Sequence, residues 1–472
     1  MRKGRSFGAL VLGTALVLAA ASPALAQAPM RVGNEYPLRI DSAGPSHVEA
    51  VTTDQGKRWA VHHPGATYVA LHFAEFDLAP GDSVTVSDAS RGQAYTLSGR
   101  GKMEARTFWS QHVKGDTAVI ELVQRGQKLG KGFVVDSYAA GFIDLREPES
   151  IEAICGADDK KNVVCHQSSH ATAYSRSRAV ARLLIQGTSL CTGWLASSSN
   201  HLVTNEHCIT SSAAALNTDY EFGADAPNCT SSNCQLCWPG TVFSGATFVQ
   251  DNATLDYALV QVTSGNPATT FGFLEIDNRD AIVGEQIYIP QHAGGKAKQL
   301  GIASTDAIDT GGVCRVRSIT EPACTGTTSY RDVGYQCDTE GGSSGSPVLA
   351  TSSNKVVALH HCASCPNRGV PIDLVCNEIC SLLGGGGGCL TNADCNDANA
   401  CTTDTCNAGT CSNLPVACGT SGATDGCCPA GCAAPADGDC PPPCGAAGSS
   451  CTVNSQCCSN SCKGKPGRKT CR

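Results

Sequence analysis

A serine hydroxyl becomes a useful nucleophile only when an imidazole can take its proton and a carboxylate can hold and charge-balance that imidazole. The chain carries all three groups in separated stretches. His207 lies in Thr204-Asn205-Glu206-His207-Cys208, Asp256 in Leu255-Asp256-Tyr257-Ala258-Leu259-Val260, and Ser344 in Gly341-Gly342-Ser343-Ser344-Gly345-Ser346-Pro347. The chemistry these residues predict is acyl transfer: Ser344 attacks a carbonyl, His207 moves the proton and Asp256 orients His207. The oxyanion that forms needs fixed N–H donors, each worth about 3 kcal/mol. The amides of Gly342 and Ser344 are the candidates, because glycine just before the nucleophile lets the chain turn both N–H groups into one hole.

The elements that must position these groups read as strands. Val69, Leu71 and Phe73 alternate with Ala70 and His72. Val84 and Val86 follow Pro80-Gly81-Asp82, and Ala118, Ile120 and Leu122 follow Lys114-Gly115-Asp116. Period-two alternation between turn clusters marks half-buried strands, so residues 27–150 are expected to form a β-sandwich, acting as a folding aid, a prosegment or a binding module. Residues 151–383 carry short apolar runs at 179–185, 193–196, 202–205, 257–262 and 356–359, again all-β. Gly384 to Gly388 are five consecutive glycines, a flexible linker. Beyond them, residues 389–472 have almost no large apolar residues and need disulfides to hold a shape.

Residues 1–26 read as an export leader. Arg2, Lys3 and Arg5 precede an apolar stretch, and Ala24-Leu25-Ala26 is a small-residue cleavage site. No later segment is long and apolar enough to span a bilayer. All of the 30 cysteines lie after this region, fourteen from Cys155 to Cys380 and sixteen from Cys389 to Cys471. Two even sets suit disulfides in an oxidising compartment, and the expected location is extracellular. The formal net charge is -8 with basic residues scattered, which excludes a nucleic-acid footprint.

The residues around the three groups resemble the chymotrypsin-like clan of serine endopeptidases. Within it they are similar to the bacterial lysyl endopeptidase and glutamyl (V8-like) endopeptidase families. The resemblance rests on Leu190-Cys191-Thr192-Gly193-Trp194-Leu195, on Leu202 to Cys208, on the order His, Asp, Ser and on the intervals between them, and it covers about residues 151–375. It implies a double β-barrel, catalytic residues His207, Asp256 and Ser344, and a Cys191–Cys208 disulfide bracketing the histidine. It further implies pairing of Cys155 with Cys362 or Cys365, and of Cys165 with Cys229, Cys234 or Cys237. A gap-free count back from Ser344 puts Asp338 at the base of the substrate pocket, which would favour Lys or Arg before the scissile bond. His360 and Gly369 should wall the same pocket. A histidine near 360 fits the glutamyl families equally, so a Glu preference stays open. The family's usual aspartate before the nucleophile is Ser343 here. No N-terminal ion pair can form with it, and activation should proceed by unblocking the cleft.

The last six cysteines, Cys444, Cys451, Cys457, Cys458, Cys462 and Cys471, resemble an inhibitor cystine knot over residues 444–472, which implies pairing of first with fourth, second with fifth and third with sixth. Residues 389–443 resemble short cysteine-rich extracellular repeats. Their Asp397, Asn399 and Asp404 offer oxygen ligands of the kind calcium takes, but the spacing lacks a full calcium loop and turns explain them better; no metal or cofactor is expected. The basic end, from Lys463 to Arg472, makes the tail a candidate for attachment to a surface or polymer. The expected partners are protein or peptide substrates. The rival expectation is a non-catalytic adhesive or binding protein on a peptidase-like barrel.

Overall fold

The computed structural model describes residues 28–125, 132–142, 154–383, 392, 402–407, 410–415, 447–465 and 467–472. The expected leader, the glycine linker, most of residues 389–443 and Cys444 lie outside the described residues.

The fold is all-β. Two five-stranded antiparallel sheets form the N-terminal sandwich. One orders Val51–Thr53, Gly56–His62, Thr117–Val123, Ser83–Asp88 and Ala94–Leu97. The other pairs Gly33–Asp41, Gly132–Gly141, Tyr68–Asp77 and Phe108–Trp109, with Val113–Lys114 added to Tyr68–Asp77. The alternating residues face inward: Leu71, Phe73, Val84, Val86, Ile120 and Leu122 share one core with Trp59, Phe76 and Phe133. Burying each such side chain stabilises the sandwich by about 1.5–3 kcal/mol.

Two eight-stranded sheets follow. The first holds Val180–Ile185, Ser189–Leu195, His201–Thr204 and Tyr257–Val262 in mutual register. The second runs through Ile287–Gln291, Pro347–Ala350, Val356–Cys362, Asn367–Pro371 and Arg331–Tyr335. Their strands read as nearly unbroken apolar runs because both faces are covered; Val180–Ile185 is buried at every position. A helix, Ile372–Ile379, closes the second sheet.

Six disulfides join described residues between Cys155 and Cys380, as an oxidising compartment allows. Cys191–Cys208, Cys155–Cys365 and Cys165–Cys229 are among them. The even count predicted complete pairing. Instead Cys314 and Cys337 are buried thiols in mutual contact. In the tail, Cys451–Cys462 and Cys457–Cys471 pair as the knot resemblance implies, around a hairpin of Cys462–Lys465 with Arg468–Cys471. Among the described residues no helix is long and apolar enough to cross a membrane.

The sandwich and the barrel share a polar seam. Tyr68 Oη donates to Gly187 O at 2.7 Å, and Trp109 N–H to Asn217 Oδ1 at 2.7 Å. Asp219 Oδ2 accepts from His112 N at 2.9 Å and faces His112 Nδ1 at 2.8 Å, while Lys114 Nζ stands 3.7 Å from Glu221. Burial drives the Lys102 and Lys114 ammoniums down to about 8. Burial alone would raise the Asp219 carboxyl, but the His112 hydrogen bond and the Lys102 charge outweigh it and hold the group below 3.8. A carboxyl lowered at a seam contributes docking stability above its free value and loses it as the pH falls through that range. Acidification below about pH 4 is therefore expected to loosen the seam. Amide exchange of residues 109–114 and 217–221 should rise there, whereas pH-independent protection would contradict a role for Asp219.

Candidate active site

Asp256 sits where a turn meets a strand. Asn252 Oδ1 accepts the Thr254 and Leu255 amides, and the backbone at Asp256 then turns left-handed, with φ of 47°, before Tyr257–Val262 begins. Aspartate tolerates this region better than most residues. Asn205 Nδ2 pins the Asp256 carbonyl at 2.8 Å, which ties the turn to the loop carrying His207.

The carboxylate meets three donors. His207 Nδ1 lies 2.9 Å from Oδ2 and 3.0 Å from Oδ1, and the His207 amide donates to Oδ1 at 3.1 Å. An ionised carboxylate can only accept, so Nδ1 carries the proton and Nε2 is left as the ring's acceptor. The third donor is His361 Nδ1, 3.2 Å from Oδ2. Burial would raise the Asp256 pKa, but the bonds from His207 and His361 overcome it and hold the carboxyl well below its usual range.

The loop around Ser344 is fixed from both sheets. Thr192 N–H donates to Ser344 O at 2.8 Å, and Thr192 Oγ1 donates to Gly342 O at 2.8 Å. Gly345 N–H donates to His360 O at 2.9 Å. Gly342 and Gly345 have φ of 89° and 86°, and a Cβ on Gly345 would stand 2.1 Å from Thr192 O. Ser343 is buried, accepting from the Glu340 amide and donating to Gln291 Oε1 at 2.6 Å. The position before the nucleophile is thus satisfied without any charge. Among the described residues, neither the Gly342 nor the Ser344 N–H is spent on a protein acceptor, so both are available to an oxyanion.

His207 Nε2 is buried and has no hydrogen-bond partner. The hydrogen-bonded chain therefore runs from Asp256 to His207 and stops short of Ser344, although His207 and Ser344 were expected to be joined. Such bonds are often long without substrate and tighten when it binds.

Asp338 does not line an open pocket. Its Oδ1 accepts the Cys155 amide and its Oδ2 the Asp159 amide, both at 2.8 Å, and the residue is 2 % exposed. The carboxylate stitches the segment after residue 154 to the barrel. His360 is also buried, with Nδ1 2.7 Å from Tyr335 Oη. Burial, then the neighbouring His361 charge, lowers its pKa to about 3, so it is neutral. Gly369 pairs directly with His360, and a Cβ there would press on Leu359 O at 3.0 Å.

His361 and Asp332 were not singled out in the sequence. His361 Nε2 lies 3.0 Å from Asp332 Oδ2, and both residues are fully buried. The only signal was the doublet His360-His361, both buried, at a register shift of the strand. The sulfurs of Cys191 and Cys208 beside His207, and of Cys324 beside His361, are all in disulfides and offer no thiolate to a metal.

A family model described as a trypsin-like peptidase domain matches residues 191–359. Secreted RxLR effector protein 73 of Plasmopara viticola is 36% identical over 321 residues, which cover 65% of this chain and 77% of that protein. Solved structures are more distant. The serine endoprotease from Yersinia pestis is 13% identical with a TM-score of 0.33, covering 46% of this chain, which spans 66% of its length. Deg5 is 18% identical with a TM-score of 0.32 over 46% of this chain and 95% of its own. A Glu endopeptidase bound to MPD is 18% identical with a TM-score of 0.31, over 46% of this chain and 92% of its own. The chain belongs to one family with the Plasmopara viticola protein, and within it residues 191–359 are a trypsin-like peptidase domain.

Proposed function

We propose that the protein is an exported serine endopeptidase, in which Ser344 attacks the peptide carbonyl, His207 shuttles the proton, Asp256 orients His207 and the Gly342 and Ser344 amides hold the oxyanion. The observation that carries this reading is the unpartnered, buried His207 Nε2, its ring fixed by Asp256, in a domain whose two candidate oxyanion amides are also free. A base nitrogen with nothing to hold costs stability where it stands and is repaid only by a substrate or a nucleophile. The direct test is labelling by an aryl phosphonate, read by mass spectrometry. One equivalent of adduct on Ser344 is expected, and an unlabelled protein would contradict the reading.

With Asp338 spent on backbone amides, the pocket wall left is His360 with Gly369. Tyr335 Oη donating to Nδ1 would leave a neutral Nε2–H on His360, which the Arg368 main chain already shares; an uncharged donor there suits a hydrogen-bonding side chain such as Glu better than a cation. Cleavage of a peptide library should yield products ending in Glu; products ending uniformly in Lys or Arg would contradict this assignment.

The form described is, on this reading, latent. The strand Met30–Arg31 pairs antiparallel with Ser189 and Leu190, next to Cys191, and the Met30 side chain packs against Gly341 and Gly342. A chain there occupies one arm of the groove that a substrate must follow past the oxyanion amides. Residues 27–150 would then act as a prosegment whose end blocks the cleft. A fully active enzyme still beginning at Gln27 would exclude their removal.

The second reading, a non-catalytic binding protein, is favoured by the relative being named an effector. The same labelling experiment separates the two.

A further inference from the structure

We propose that His361 is a positioning residue that stands as a permanent imidazolium between Asp256 and Asp332, so that the triad carboxylate is shared by two imidazoles. The proposal rests on the serine-peptidase reading for its catalytic meaning, but not for the charge state itself.

The argument is geometric. A neutral imidazole has one N–H and one acceptor nitrogen. His361 presents Nδ1 to Asp256 Oδ2 at 3.2 Å and Nε2 to Asp332 Oδ2 at 3.0 Å. Both facing atoms are carboxylate oxygens, which accept, so both ring nitrogens must donate. Asp332 is itself held in place: its Oδ2 also accepts the Cys324 amide at 2.9 Å, and Cys324 is bonded to Cys362, the residue after His361. The strands Arg331–Tyr335 and Val356–Cys362 flank Asn367–Pro371 in one sheet. The pair is therefore buried and stapled, and Asp332 Oδ1 has no hydrogen-bond partner among the described residues. Two carboxylates and one cation leave one net negative charge, and His207 faces it from the other side of Asp256. Burial alone would discharge His361, but its hydrogen bonds to Asp256 and then Asp332 reverse that and raise its pKa to about 9. The other ionisable groups near the trio are His360 on the same strand, Glu206 beside His207, Tyr330, and Tyr335 on the strand that carries Asp332.

Two consequences follow for catalysis. Asp256 cannot swing toward solvent, because its second oxygen is anchored from below; the His207 ring is aimed by a fixed partner. A proton arriving on His207 places a second positive charge across Asp256 from the first, and the two repel.

The test has two arms. Histidine side-chain 15N spectra of the full-length Ser344→Ala protein should show one residue, absent from His361→Gln, with both nitrogens protonated from pH 6 to pH 8. A single protonated nitrogen at His361 in that range would overturn the proposal, whether or not the protein is a peptidase. In the active chain, His361→Gln should lower kcat by about tenfold to a hundredfold with little change in KM, the scale of a misplaced catalytic group. It should also move the acid limb of kcat/KM to higher pH by about one unit. Asp332→Asn added to His361→Gln removes the orphaned carboxylate and should restore the acid limb part-way. A His361→Gln enzyme with an unmoved acid limb would overturn the positioning role. A wild-type chain that cleaves nothing would instead defeat the peptidase reading and leave the spectral arm to decide the charge.

Discussion

Ser344→Ala is expected to abolish proteolysis, with a loss in kcat of about a millionfold and a residual rate still above that of water, because the oxyanion amides and the binding groove remain. The loss should be all chemistry and no folding. Ser344 is anchored through its main chain, by Thr192 N–H on its carbonyl, and the Oγ makes no hydrogen bond among the described residues. Removing one hydroxyl that bonds to nothing should change stability by no more than about 0.5 kcal/mol. Asp256→Asn should act differently. It keeps the shape but offers an amide where His207 Nδ1–H and His361 Nδ1–H both donate, so kcat should fall by about 10,000-fold and the melting temperature should fall too. Single-turnover assays beside thermal denaturation of the two variants separate these outcomes. Equal destabilisation of both would mean that Ser344 is structural, and retained turnover in Ser344→Ala would move the chemistry to another group.

The parts of this site that were legible in the sequence are those that short-range rules fix. The strand at Tyr257–Val262 was predicted with its observed bounds, because an apolar run after a turn cluster has few alternatives. Ser344, His207 and Asp256 stood out because glycines, a bracketing cysteine and a following strand each leave a local trace. Asp338 misled because counting residues assumes that a loop keeps its winding. Its two oxygens were captured by amides at positions 155 and 159, almost two hundred residues earlier in the chain. His361 was invisible for a related reason. Its partners are 105 and 29 residues away and meet only when three strands and a turn assemble. Main-chain pairing hides best of all: Met30 and Arg31 join the barrel through backbone hydrogen bonds that any residue type could make.

That last contact sets the remaining large expectation, which is that releasing the strand raises activity on long substrates by about tenfold to a hundredfold. Val32 is fully buried with Tyr68, Leu184 and Leu190, and the amides of Val32 and Gly33 both donate to Thr188 O. Met30 packs on the same cluster and reaches Gly341 and Gly342. Withdrawing Met30 exposes one apolar side chain, a cost of about 1.5–3 kcal/mol. Substrate binding is weakened by the fraction of molecules that are open, and 1.4 kcal/mol is tenfold. A Met30→Ser, Arg31→Pro double variant removes the side chain and a strand amide while leaving Val32 and the sandwich seam in place. Its kcat/KM should rise on peptides long enough to run along Ser189–Leu195 past Gly341, and should change little on a minimal ester that reaches only the Ser344 hydroxyl and the oxyanion amides. The comparison of the two substrates is the deciding measurement. A parallel rise on both would mean that the variant repairs the catalytic groups themselves, and no rise on either would mean that substrates enter with the N-terminal strand still in place.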